Sequence, residues 1–307
     1  MIYDSIRFYA DNAQIFKDDK ILKLEGNARA IDDTLEAGAD KAVYNYEGKI
    51  LNLKDNAYLL ESSADSVSKK VIADELSYYR LKKTVEAKGD IVASDFVKKV
   101  ILECGDFNYD SEQDYGSAKV DPVLKFRDKQ KMTIRSKQME IFAGEKKITA
   151  TYDVNVEMKN SFAKGKFLIY FNQDEKAVLL GDPHFESKTA DALAHEFEMY
   201  FVEDKIDSLF MTKNAKIYFN RNDSDNKTNF LFAKRIKLDF EDEKIKYMLA
   251  DLVEKSLIKE MNTDKIDFYI NELSTDNLKV YFDNSEKIEK VIAEQDIEGV
   301  YRFEQKE

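Results

Sequence analysis

Apolar and polar positions alternate with a period of two along most of the chain, in runs such as ILKL (21–24), ILNL (50–53) and YDVNVEM (152–158). Such alternation is the mark of half-buried strands and disfavours helix. Between the runs lie short charged stretches, FKDDKI, NYEGKI, RLKKTV, AGEKKI, NQDEKA and EDEKIK. Polar tips joining period-two arms predict β-hairpins. The chain reads as strand, tight turn, strand, many times over.

The hairpins repeat. An Asn or Asp recurs as Asn27, Asn56, Asp90, Asp121, Asp153, Asp182, Asn214, Asp251 and Asp296. Three residues before each stands Leu24, Leu53, Ala87, Ala118, Ala150, Leu179, Met211, Met248 or Ala293, none of them polar. A second signature precedes each of these: a small residue (Ala10, Ala39, Ala73, Cys104, Ser136, Gly165, Ala194, Ala233, Thr275), then apolar residues three and five places later. From small residue to Asn/Asp the distance is 17 in the first six units and 20, 18 and 21 in the last three. Nine units, hence about eighteen antiparallel strands, are predicted. They are read as one repeat domain over 1–307, regular in units one to six (about 6–190) and irregular in units seven to nine (about 191–305).

Parity explains the recurrent Asn/Asp. Leu53 and Ala57 lie four apart and share a face, while Asn56 between them falls on the other. Asn, Asp and Gly tolerate left-handed backbone, so the position suits a bend or bulge. Pro122 and Pro183 each follow the Asp of their unit, where no ladder donor is needed. The odd step of three after the small residue predicts a second corner. Each strand is therefore expected to bend from one sheet to another. A bent hairpin cannot bury its apolar face alone, but a stack can. The fold class expected is all-β, an elongated antiparallel two-sheet stack of about 40 to 90 Å with open edges at its ends. Its inner lining is predicted to be Ala42, Leu59, Leu76, Tyr78, Phe107, Met139, Val156, Leu168, Phe185, Phe197 and Ile217. Alanines at 28, 30, 42, 57 and 93 are expected to leave room between the sheets.

Composition narrows the function. The net charge of −12 gives no basic patch for nucleic acid or for an anionic membrane surface. No apolar run approaches a membrane span, and MIYDSIRFYAD lacks the regions of a signal peptide. The single cysteine, Cys104, occupies a small-residue position with no His in its unit, so it is read as a structural thiol. His184 and His195 are read as structural too, because no metal-ligand set surrounds them. The stretch RNDSDNKT (221–228) lacks the Gly and final Glu of an EF-hand and is read as a solvated loop. Without a P-loop, a G-x-S-x-G or a zinc motif, no enzyme and no cofactor is expected. Glu254 to Ser274 departs from the unit pattern and is expected to hold an extra strand, KIDFYI, and a short insertion that caps or offsets the last unit.

Units such as ADKAVYNYEGKILNLKDNAYL (39–59) and ADELSYYRLKKTVEAKGDIVA (73–93) resemble the A-D-x-Φ-x-Y, charged turn, Φ-x-[A/L]-x-G-[N/D]-Φ-x-Φ repeat of the OstA-like family. That family includes LptA, LptC and the periplasmic part of LptD of the lipopolysaccharide transport system. The resemblance implies a V-shaped β-jelly-roll in the periplasm whose apolar groove holds the acyl chains of lipopolysaccharide or a related glycolipid. It implies partners of the LptC-like and LptD-like kind, or further copies, joined end to end through edge strands. On the lining reading, Leu168→Glu is expected to block lipid loading without unfolding the stack. The competing reading is a structural or adhesive β-solenoid with a closed core, which binds a protein and carries no lipid. A parallel β-helix lyase is disfavoured by the hairpin tips.

Overall fold

The computed structural model describes residues 6–63, 66–127, 132–202, 205–219, 229–260 and 266–305, and RNDSDNKT (221–228) lies outside them. The described residues are all-β, with twenty-four strand segments. Twelve of these join pairwise into six strands interrupted at one point, at residues 10–11, 120–122, 136–137, 181–183, 194–195 and 295–297. Eighteen strands result, the number the repeat predicts. The chain forms two compact units, residues 1–152 and 153–307.

In the first unit each strand pairs antiparallel with the next along the chain. The series runs through Ile21–Ile31, Leu35–Asn45, Ile50–Ser63, Ser66–Tyr79, Thr84–Asp95 and Val100–Asp110. The register identifies the repeat's apolar positions as cross-strand partners. One row crosses the sheet as Leu24–Ala42–Leu53–Leu76–Ala87–Phe107–Ala118–Met139–Ala150. A second row, beyond the bend, runs Ala30–Ala37–Leu59–Val71–Ala93–Leu102–Leu124–Ile134. The rows belong to one core, because Phe8, opposite Ala30, packs its ring 5.1 Å from that of Tyr44 on the first-row side.

The second unit repeats the arrangement. Its first row is Leu168–Leu179–Phe197–Met211–Ile236–Ala250–Leu278–Ala293. Its second is Ala163–Phe185–Ala192–Ile217–Leu231–Ser256–Leu273–Gly299. Ring contacts again join the two sides, Phe185 to Phe240 at 6.0 Å and Phe219 to Phe282 at 6.1 Å.

Between the rows runs a line of bulges. Leu24 pairs with Ala42 and Ala28 with Ala39, so one strand crosses the bend in four residues and its neighbour in three. The extra residue is a β-bulge, which bends the strand. The small-residue signature is therefore not a second corner. Ala39, Ala73 and Cys104 lie opposite Ala28, Ala57 and Ile91 on the same corner, seen from the strand without the extra residue. They are small because two backbones crowd there, and so are Ala28 and Ala57.

The bulged strand makes the bend with left-handed residues, in pairs such as Gly26–Asn27, Asp55–Asn56, Gly181–Asp182 and Lys213–Asn214. Asn56 also donates Nδ2 to Asp40 Oδ2 at 2.8 Å, and Asn27 does the same to Asp11 at 3.0 Å. The eighth corner corrects the reading of Asp251. The left-handed residue is Leu252, and Ile236 pairs with Ala250 rather than with Met248. Glu254 to Ser274 is corrected as well. Ile266 to Ile270 open the strand Ile266–Phe282, which pairs with Lys244–Glu260 from Tyr247↔Tyr281 to Glu260↔Tyr269. IDFYI (266–270) belongs to that ladder-paired strand and is not an added one, while residues 261–265 lie outside the description.

Two exchanges test the corner. Val120 is a β-branched residue at φ 63°, 63% exposed, where the left-handed region is disfavoured. Val120→Asn should raise stability by about 1 kcal/mol. Asn56→Val puts the same strain at a relaxed corner and removes the bond to Asp40, and should lower stability by about 2 kcal/mol. Urea unfolding midpoints decide it, and shifts of the same sign would overturn the account.

Candidate functional site

The predicted lining residues are placed on the inward rows. Ala42, Leu76, Phe107 and Met139 lie on the first row of the first unit, and Leu59 lies on its second. Leu168 and Phe197 lie on the first row of the second unit, and Phe185 and Ile217 on its second. Val156 is buried beyond the corner of Lys147–Glu157. All but Tyr78 are buried, and Leu168, Phe185 and Phe197 are 0% exposed. Leu168 abuts Leu179 and stands in a packed interior. A carboxylate there would be buried without a partner, so Leu168→Glu should unfold the unit rather than leave it intact.

Open space occurs in the first unit near its N-terminal edge. There the two sides enclose a cleft of ≈ 370 Å³, counting its open mouth. The enclosed part is far smaller, about 30 Å³, room for a water-sized group. One wall is Ala30, Ala37 and Leu59 of the second row. The other is Tyr44, Leu51 and Tyr78, which are cross-strand partners one step nearer the charged tips. Ile6 and Phe8 of the edge strand close the end. Alanines at 30 and 37 face a row of large side chains, and their missing volume leaves the room. Of the predicted lining, Leu59 and Tyr78 face this cleft. The rest of its wall was not singled out, although the recurrence of Ala on one row opposite Tyr and Leu on the other is a signal for it.

Charged side chains stand at the mouth. Asp32 begins the turn after Ile21–Ile31, and its Oδ1 accepts from the backbone N–H of Thr34 (3.1 Å) and Leu35 (2.9 Å). Its Oδ2 lies 3.5 Å from Arg80 Nη2, and both side chains are more than four-fifths buried. Arg80 comes from the charged tip after Ser66–Tyr79, and its backbone N–H donates to Lys49 O at 3.1 Å. Lys49 completes the rim. The ion pair thus joins the far end of one sheet face to a tip of the other.

No protein-family model matches the chain. No curated protein matches it either. Chains of solved structures do match. One is LptH of Pseudomonas aeruginosa, the LptA-homologous periplasmic component of the lipopolysaccharide transport device. It is 11% identical, with 55% of this chain and 77% of that one covered, at a TM-score of 0.15. At that score the likeness carries no argument about this chain.

The histidines are held by neighbours. His184 Nε2 lies 2.8 Å from the buried Asp191, while His195 bridges Asp182 (3.1 Å) and Asn214 (3.3 Å) at a corner. Among the described residues, no group of three or more His, Cys, Asp or Glu is arranged to hold a metal ion, and no helix is long and apolar enough to cross a membrane. Tyr58 lies over Gly38, where any side chain would collide with its ring, and donates its hydroxyl to Glu36 at 2.9 Å. Burial and that bond push its pKa up to about 12.

Burial likewise pushes the Cys104 thiol up to about 11. Native protein should therefore react with Ellman's reagent at pH 8 far more slowly than urea-unfolded protein. Below pH 9 the thiol is protonated in both states, whereas between 9 and about 11 only the unfolded chain ionises. Stability should fall with rising pH across that window, and Cys104→Ala should remove this contribution. Rapid native labelling would contradict the buried assignment.

Proposed function

We propose that the chain is a lipid-binding β-repeat protein of the OstA-like kind, working in the periplasm. In this reading it bridges the inner and outer membranes for lipopolysaccharide or a related glycolipid. The observation that carries the reading is the cleft between the two sheet faces of the first unit. It is lined by Ala30, Ala37, Tyr44, Leu51, Leu59 and Tyr78. Such walls offer an acyl chain apolar surface and no directional hydrogen-bond pattern, which suits a ligand recognised by its tail. Covering such walls with hydrocarbon is favourable by roughly 25 cal/mol per Å² of apolar surface removed from water.

Partners of the LptC-like or LptD-like kind, or further copies, would add strands to the edges. Arg7–Tyr9 with Asn12–Phe16, and Ile288–Glu294 with Glu298–Gln305, each pair on one side only among the described strands. Unpaired edges are templates for strand addition. The packed interior of the second unit favours another reading for that part, a closed core that carries nothing.

A photo-crosslinking residue at Leu59 or Tyr78 in the native cell should capture glycolipid. The same residue at the tip position Lys82 should not, nor at the enclosed Phe197. Protein adducts alone at Leu59 and Tyr78 would replace the lipid reading with the structural one.

A further inference from the structure

The second unit carries on its outside a pattern that its packed interior does not require. Successive side chains of a strand point to opposite faces, so the neighbours of the inward row through Ala163, Phe185, Ala192, Ile217 and Leu231 face outward. One outward row crosses six strands as Lys164–His184–Leu193–Lys216–Phe232–Lys255. The next row, farther from the corner, runs Glu186–Asp191–Tyr218–Phe230–Leu257–Glu272. The rings of Tyr218, Phe230 and Phe232 are half-buried and lie 4.9 to 6.4 Å apart. Lys216 Nζ stands 5.3 Å from the Phe232 ring and Lys255 Nζ 5.7 Å from the Phe230 ring. Lysines also rest on rings at the other sheet face of this unit, Lys176 on Tyr200 and Lys237 on Phe210. There each is paired with a carboxylate, Lys176 with Glu198 at 2.9 Å and Lys237 with Asp239 at 2.8 Å. Lys164, Lys216 and Lys255 are exposed and, among the described residues, have no carboxylate partner. His184 is held by Asp191 at 2.8 Å, so the three lysines carry the charge of the row.

We propose that this outward row binds a linear acidic saccharide, with sugar rings stacked on Phe230 and Phe232 and acid groups at Lys164, Lys216 and Lys255. Charge complementarity selects an anion, because the row is a line of unpaired cations on a chain of net charge −12. The shape of the positive region selects the anion's form. Glu186, Asp191 and Glu272 stand in the adjoining row, so the region is a line and not a plane. A flat anionic membrane surface would meet those carboxylates as well, whereas an extended chain follows the cations alone. Lys164 and Lys216 are three strand spacings apart and Lys216 and Lys255 two, about 14 and 10 Å. A nucleic-acid strand carries one charge about every 3.4 Å, so most of its phosphates would face no cation here. A saccharide with acid groups on only some of its rings matches the sparse spacing. Its sugar rings present C–H faces, which the electron-rich faces of Phe230 and Phe232 attract. On binding, Lys216 and Lys255 turn from the rings to the acid groups, and sugars take their places. The proposal does not rest on the lipid-binding reading.

Hyaluronan octasaccharide, which bears a carboxylate on every second sugar, tests this on the full chain by calorimetric titration at physiological ionic strength. Its carboxyl-reduced form, an oligothymidylate and phosphatidylglycerol vesicles are the comparisons. Hyaluronan should bind more tightly than all three. Lys216→Gln combined with Lys255→Gln should weaken hyaluronan about fivefold and leave the reduced form unchanged. Phe232→Leu, which keeps an apolar side chain and removes the ring, should weaken both forms by the same factor. Lys176→Gln combined with Lys237→Gln removes the same charge from the other sheet face and should change neither. Lys216 and Lys255 are exposed, so their double variant carries the comparison if Phe232→Leu fails to fold. Equal binding of hyaluronan and its reduced form, or equal losses from the two lysine pairs, would overturn recognition of the acid groups. Tighter binding of the oligothymidylate or of the vesicles would overturn the saccharide as occupant, and no binding of hyaluronan would overturn the site. None of these results touches the cleft of the first unit, so the lipid reading stands or falls separately.

Discussion

The structure depends on taking a β-strand round a bend without breaking its ladder. Two neighbouring strands cannot turn together through equal numbers of residues, because the outer path is longer. Here one crosses in four residues and the next in three, as Leu24 to Ala28 against Ala39 to Ala42 shows. The extra residue is absorbed by left-handed backbone, which Gly, Asn and Asp adopt with least strain. Everything else follows from that line of bulges. It keeps both arms of each strand facing inward, brings the first row opposite the second, and makes one core out of strands that could not enclose one if straight.

That constraint is why so much of the fold could be read from the sequence. A left-handed position restricts residue type strongly, so Asn27, Asn56, Asp121, Asp153, Asp182, Asn214 and Asp296 mark their corners directly. Reading failed where the restriction was relaxed by other residues. At the eighth unit an Asp happens to stand at 251, but the bend is made at Leu252, and the register shows the difference of two that composition cannot. The small-residue signature was legible as a pattern but not as a place, since a step of three and a step of four look like separate corners until the strands are paired. The hairpin arms in 254–274 were hidden because their length exceeds that of the earlier units, which breaks a search by fixed spacing without changing the pairing.

The candidate site was less legible, for a different physical reason. Periodicity tells which face of a strand points inward but not what opposes it across the core. Leu168 and Leu59 follow the same alternation, yet one is packed solid and the other borders a cleft. The distinction lies in the volumes of residues on the other row. Alanines at the corner fill a crowded place, whereas Ala30 and Ala37 leave a gap. The rim was equally hidden. Asp32 and Arg80 stand 48 residues apart and share no motif.

The second unit offers a parallel that bears on how such an interior is closed. Its turn at 158–160 meets the charged tip at Asp242–Glu243. Asn160 bonds Glu243 there, and Lys159 Nζ lies 3.9 Å from the same carboxylate. In both units, then, a polar contact joins the far end of one sheet face to a tip of the other, although the residues and their order in the chain differ. Apolar faces would close by burial alone, without an ion pair whose desolvation offsets most of its attraction. Behind the first unit's contact lies a cleft, and behind the second's the interior residues Leu168, Phe185 and Phe197 are fully buried. The same kind of closure thus stands over an open interior and a filled one, and the volumes of the row residues decide which.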